Sequence, residues 1–281
     1  LVGCSGPAAT PSASTSASTS ASAPSEEKVT LTVATFNEFG YEDLFAEYTK
    51  AHPNVTITPK KAATSNEARE NYFNKLAAGS GLSDIEAIEV DWLPDVMQTA
   101  DKLYDLSGDD VKGRWLDWKE AAGTAPDGKL VAYGTDIGPE GVCYRADLFK
   151  KAGLPTDREE VAKALGSTWD DYFNLGKQFV AKSNGVAWFD SADAIMQGQV
   201  NQLANAFSST EPEETLIPLA DNAPVKAQYD SILKAAMDDK LSAHLQQWQP
   251  DWVDAFQKGK FATMLCPGWM LGVIEGNAKG V

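Results

Sequence analysis

From residue 29 onward the apolar positions recur first at one period and then at another. Residues 29–35, VTLTVAT, alternate at period two, as a strand with one buried face does. Tyr41, Leu44, Phe45 and Tyr48 then fall on or beside one helical face, and that helix has to stop before Pro53. Residues 55–58 predict a second strand. Thr64 and Glu67 stand at capping-box spacing ahead of a helix carrying Tyr72, Phe73 and Leu76, which Gly79-Ser80-Gly81 ends. Residues 85–90 predict a third strand, followed by Asp91-Trp92-Leu93-Pro94, and Asp127-Gly128 predicts a turn into residues 130–133. A β-α-β-α-β order of this kind implies a largely parallel sheet with helices on its faces.

Residues 134–149, GTDIGPEGVCYRADLF, interrupt that pattern. Gly134, Gly138 and Gly141 free the backbone and Pro139 removes a ladder donor, so the preceding sheet should not continue through them. The stretch reads as a crossover between two lobes that leaves Asp136 and Glu140 near the cleft it spans, the alternative being an ordinary acidic loop. A strand over 141–144 and a helix from Asp147 to Gly153 follow. A second α/β layer then begins. Thr168 opens a helix with Trp169, Tyr172, Leu175 and Phe179, and residues 186–189 form a strand ending at Asp190. Helices are expected over about 192–207, 224–237 and 252–258. A strand over 261–266 breaks at Pro267-Gly268, and residues 269–276 have helical character. No closing element follows, so a longer protein is expected.

Charge narrows the partners. The net charge is −16, yet the first 25 residues carry none, so all the acidity sits on the folded part. That disfavours nucleic acid and anionic headgroups as partners of the body. Of residues 5–25, 17 of 21 are Ser, Thr or Ala, which cannot bury a core, so residues 5–28 are expected to be a disordered linker. The Leu-Val-Gly-Cys start ahead of it resembles the lipobox of bacterial lipoproteins, with Cys4 as the lipidated residue; a cysteine of no such role is the alternative. No run of about 18 apolar residues follows, so no spanning helix is expected.

The candidate chemistry lies after the strands, where open α/β sheets bind ligands. Those positions hold Asn37, Glu38 and Phe39, then Glu89, Asp91 and Trp92, then Asp136, then Asp190 and Asp193, and finally Trp269. Trp248 and Trp252 also lie among Gln, Asp and Pro rather than in smooth apolar runs. Planar polar groups beside aromatic rings suit sugars, whose hydroxyls need hydrogen bonds and whose C–H faces stack. For each tryptophan core packing is the competing reading, and for each carboxylate a solvated loop. Glu89 and Asp91 could also be a hydrolase pair, although nothing in their spacing sets the separation that mechanism needs. With two histidines, no Cys-x-x-Cys, no Gly-x-Ser-x-Gly and no phosphate-binding Gly-Lys-Ser/Thr loop, no metal, cofactor or enzymatic activity is expected. Cys143 and Cys266 each adjoin a Pro/Gly break. They are neighbours if both crossovers meet at one hinge, and a disulfide is then expected, with two buried free thiols as the alternative.

Three segments, GTDIGPEGVCYRADLFKKAGLPTDREE, KFATMLCPGWMLGVIEG and GSGLSDIEAIEV, together resemble the sugar-binding lipoproteins of actinobacterial ABC importers. Within that maltose-binding-like class the resemblance is to cellobiose and cello-oligosaccharide binders. It implies a periplasmic-binding-protein-like fold of two α/β lobes, with mostly parallel central sheets, joined by hinge crossovers. On that pattern residues 29–136 form lobe one, 137–266 lobe two, and 267–281 return toward lobe one. Members of the family run over about a hundred residues past the equivalent of Val281. The resemblance also implies a monomer, lipid-anchored at the outer face of the membrane, that hands its sugar to an ABC permease. Trp269, in Pro-Gly-Trp, would stack on the sugar, with Asn37–Phe39, Glu89–Trp92, Asp190 and Asp193 as further contacts. Another oligosaccharide (chito-, xylo- or malto-), a glycoside hydrolase and a receptor without transport are the alternatives.

Overall fold

The computed structural model describes residues 27–209 and 215–281. Cys4 and the expected linker as far as residue 26 therefore lie outside the described residues. The chain divides into two compact units between Thr135 and Asp136, inside the glycine-rich stretch 134–149.

The first unit runs β1 (Val29–Phe36), α1 (Glu42–Ala51), β2 (Val55–Ala62), α2 (Ser65–Ala78), β3 (Ile85–Glu86), α3 (Leu93–Met97) and α4 (Asp117–Ala122). Its sheet is all parallel in the order β2-β1-β3, with Val29 opposite Val55 and Val33 opposite Ile85. The Thr64 hydroxyl accepts from the Glu67 amide at 3.2 Å, and the Glu67 carboxylate accepts from the Ala63 amide at 2.8 Å. Gly79, at φ 68°, closes α2 in the left-handed conformation that a side chain would disfavour. Tyr72 of α2 packs with Phe36, Trp92 and Val96 as the core of this unit.

Two expectations change here. The third strand is short: only residues 85 and 86 pair, because the Glu89 carboxylate accepts from the Asp91 amide at 3.1 Å and starts a 3-10 turn over Val90–Trp92. Residues 130–133 contribute a single bridge, Thr124 to Leu130, rather than a strand. The helix predicted after Tyr41 forms, yet it buries none of its residues, and Leu44 and Tyr48 stay exposed.

The second unit runs β4 (Glu140–Tyr144), α5 (Ala146–Lys151), α6 (Arg158–Leu165), α7 (Trp169–Val180), β5 (Ala187–Phe189) and α8 (Ala192–Val200). It continues with β6 (Ser208–Ser209), β7 (Thr215–Leu216), α9 (Ala223–Leu233), α10 (Pro250–Lys258), β8 (Phe261–Pro267) and α11 (Met270–Asn277). Strand β8 is central and buried along its whole length, parallel to β5 and antiparallel to β4. This sheet is mixed because β4 begins where β8 ends: Glu140 lies opposite Pro267. Thr168 and Asp171 cap α7 reciprocally, and α7 buries Tyr172, Phe173 and Phe179 against Phe149 and Trp188. The helix expected over 192–207 stops at Val200, where Asn201 and Gln202 end its apolar spacing, and α9 passes at Leu233 into a π turn over Lys234–Asp238.

Residues 267–281 lie in the second compact unit. Met270, Val273 and Ile274 of α11 present one apolar stripe to Trp252, Phe256 and Cys266, so the helix is sequestered beside the strand it leaves. Cys143 of β4 and Cys266 of β8 form a disulfide within this same cluster, with Cα atoms 5.5 Å apart and a sequence separation of 123.

Gly176 marks a close helix-to-strand approach. A Cβ there would come within 2.6 Å of Cγ and 2.8 Å of Nε1 of Trp188, an indole with no exposed surface. Alanine gains about 1 kcal/mol in a helix interior over glycine, but overpacking against a ring that cannot rotate away costs about 1–3 kcal/mol. Gly176→Ala is therefore expected to lower the denaturation midpoint despite the better helix former. A raised midpoint in a urea titration would contradict this packing.

Candidate functional site

Strands β5 and β8 run parallel, so their carboxyl ends lie on one edge of the second unit's sheet. Asp190 follows β5 there, and Trp269 follows β8. The segment 242–249 crosses the same edge. The Ser242 backbone bridges to Phe189, the Ala243 amide donates to the Phe189 carbonyl at 2.8 Å, and the Leu245 amide donates to the Asp190 carbonyl at 3.1 Å. His244 and Trp248 in this segment have φ of 55° and 71°, a backbone region costly for non-glycine residues.

The result is a shelf of indoles. Trp248 and Trp269 lie nearly parallel, at 21°, with ring centroids 5.9 Å apart, and are 43% and 47% exposed. Trp252, fully buried, supports Trp248 from 5.2 Å. The crossover also touches the shelf: a Cβ on Gly138 would lie 3.3 Å from Trp269 Nε1. Beneath the shelf, one oxygen of Asp190 accepts from Trp252 Nε1 at 2.8 Å and from Gln247 Nε2 at 2.9 Å. Its other oxygen is buried and makes no hydrogen bond among the described residues. Burial pushes the Asp190 carboxyl pKa above the usual carboxylate range, against the two donors that lower it.

The structure thus separates the residues singled out from sequence. Trp248 and Trp269 meet and are accessible, whereas Asp190 and Trp252 are fully buried and face each other rather than solvent. Asp193 is exposed in the first turn of α8, on the rim of an apolar pocket of about 180 Å³ that Met196, Ile232, Met237 and His244 also line. Asp136 is exposed at the start of the unit. In the first unit, Glu38 pairs with Lys61, Asn37 turns the chain with φ 49°, and Phe39 packs edge-on to Phe36. Trp92 is 2% exposed and donates to the Ser65 hydroxyl at 3.1 Å, so its ring belongs to the core. Gln247 was not singled out in sequence. Its only signal is the run Gln246-Gln247-Trp248-Gln249, amides on both sides of an indole.

Glu89 gives a pH prediction. Its pKa is raised, first by burial and then by the neighbouring Asp91 charge. A carboxyl whose folded pKa exceeds its unfolded value of about 4.3 binds more protons folded than unfolded, so its contribution to stability falls as pH rises through that window. Glu89→Gln is expected to gain stability relative to the unaltered chain between pH 4 and neutrality, and to lose that advantage in acid. Parallel thermal melts across that range check it, and a constant difference would contradict it.

The family model described as bacterial extracellular solute-binding protein matches residues 43–280. The arabinooligosaccharide-binding protein of Halalkalibacterium halodurans is 25% identical over 239 residues, covering 83% of this chain and 51% of that protein. A crystal structure of an extracellular solute-binding protein of family 1 superposes with a TM-score of 0.75 at 50% identity, over 90% of this chain and 64% of the other. The ABC-transporter-associated binding protein of B. animalis subsp. lactis Bl-04, solved with beta-1,6-galactobiose, shares the fold with a TM-score of 0.69 at 24% identity, over 90% of this chain and 60% of the other. The chain thus spans about half the length of that arabinooligosaccharide-binding protein and under two thirds of either solved chain.

Proposed function

This chain belongs to the bacterial extracellular solute-binding proteins, and from that premise we propose that it captures an oligosaccharide outside the membrane and delivers it to the permease of an ABC importer. One observation carries the carbohydrate part of the reading. Two parallel indoles, each nearly half exposed, stand at the carboxyl edge of β5 and β8. Two tryptophans left uncovered side by side forgo burial that a ligand's C–H face would supply. The curated relative's arabinooligosaccharide and the galactobiose complex support the same ligand class. The body is acidic, which favours a neutral ligand over an anionic one. Asn37, Glu38, Glu89, Asp91, Asp136 and Asp193 remain proposed polar contacts, Phe39 a proposed apolar one, and Cys4 the proposed lipid anchor. The protein acts as a monomer and performs no chemistry on the sugar.

The sugar we propose first is a cello-oligosaccharide, on the sequence resemblance; an arabino-oligosaccharide is the second reading, on the relative's specificity. Isothermal titration with cellobiose, cellotriose and arabinotriose separates them. Stoichiometric binding of one series, with no reducing ends released on long incubation, is the expected result. A folded protein that gives no heat with any of the three sugars would overturn the reading, as would turnover.

A further inference from the structure

We infer that Asp190 is a positioning residue, which holds the Trp248–Trp269 shelf in register through Trp252 and Gln247 and never touches the ligand. The inference rests on the shelf being the sugar platform, and it replaces the direct contact expected for Asp190 from sequence. Asp190 has no exposed surface, so no ligand reaches its carboxylate in this structure. What it does reach is the underside of the shelf. A single oxygen takes both the Trp252 indole N–H and the Gln247 amide, five residues apart on either side of the Trp248 position. Its backbone carbonyl takes the Leu245 amide as well. Two attachments, to Leu245 and Gln247, therefore run from the end of β5 to the segment 242–249, and a third runs to Trp252 in the α10 helix that follows it.

That segment needs them. Its two left-handed residues, His244 and Trp248, are held in a conformation they would leave if released. Trp248 rests on Trp252 at one ring and on Trp269 at the other, so a shift of Trp252 is passed to the exposed pair. The linkage runs from carboxylate to buried indole by a hydrogen bond of 2.8 Å, and from there to the exposed indole at a ring-centroid distance of 5.2 Å. An asparagine at 190 keeps one acceptor oxygen for both donors, whereas alanine leaves a buried indole N–H and a half-buried amide without that partner.

The test has a readout that needs no ligand. Among the described residues the tryptophan–tryptophan ring contacts are Trp248–Trp252 and Trp248–Trp269, so an exciton couplet in circular dichroism that disappears in Trp248→Ala reports this cluster. Asp190→Ala is expected to lose the couplet and to bind cellotriose, the probe used, roughly tenfold more weakly. Asp190→Asn is expected to keep the couplet and an affinity within about twofold. Should Asp190→Ala not fold, Gln247→Ala removes one of the two hydrogen bonds from the other side with all three indoles in place, and is expected to weaken the couplet. Asp190→Asn that keeps the couplet but loses cellotriose would assign direct contact and overturn the inference. An unaltered couplet in folded Asp190→Ala, or in Gln247→Ala where Asp190→Ala does not fold, would overturn it too. If cellotriose does not bind the unaltered protein while the couplet follows the expected pattern, the positioning role stands and the carbohydrate reading falls.

Discussion

Trp269→Ala is expected to weaken oligosaccharide binding roughly seventyfold while leaving the fold in place. The ring is 47% exposed, so about half of it is available to a ligand. Covering about 100 Å² of indole at ~25 cal/mol per Å² yields about 2.5 kcal/mol, or roughly that fold-change in affinity. The fold loses less, because Trp269 contacts Trp248 and lies near Gly138 but is not part of a buried cluster. Titration calorimetry on the variant, with a thermal melt as control, makes the measurement. Trp269→Phe should fall between the two, since it keeps a smaller face. Wild-type affinity in the alanine variant would remove the shelf from the binding site.

Breaking the Cys143–Cys266 disulfide is expected to have the largest effect on stability. The bridge spans 123 residues, and closing a loop of that size restricts the unfolded chain by about 5 kcal/mol on chain-entropy grounds. For a unit of this size each kcal/mol moves the midpoint by about 3 °C, so the paired serine variant should melt about 15 °C lower. The native state gives little back, because β4 and β8 are already hydrogen-bonded neighbours and the sulfurs sit in an apolar cluster. Melts with and without reductant check the figure. Coincident midpoints would mean that the unfolded chain is restricted by something else.

Local signals carried much of this fold. Thr64 with Glu67, Thr168 with Asp171, and Gly79 mark helix ends by hydrogen bonds a few residues long, and the structure makes those bonds. Other elements needed information the local pattern lacks. Residues 85–90 read as a strand, but pairing ends at Glu86 because a side chain three residues on turns the backbone first. The stripe on α11 is readable, whereas the cluster that receives it is not. The site divides the same way. Trp248, Trp252 and Trp269 share a polar sequence setting, and Asp190 lies at a strand end like Asp136. Only the tertiary fold decides that Trp252 and Asp190 go under the shelf and the other two indoles onto it.

The same disulfide makes residues 143–266 a covalent ring, with the rest of the chain leaving as two tails. A cut anywhere on that ring opens it without releasing a fragment, so a nicked chain keeps its mass until a reductant is added. Under tension the ring hides its own contour. At about 3.5 Å per extended residue, the oxidised chain should come up short by roughly 430 Å compared with the reduced one.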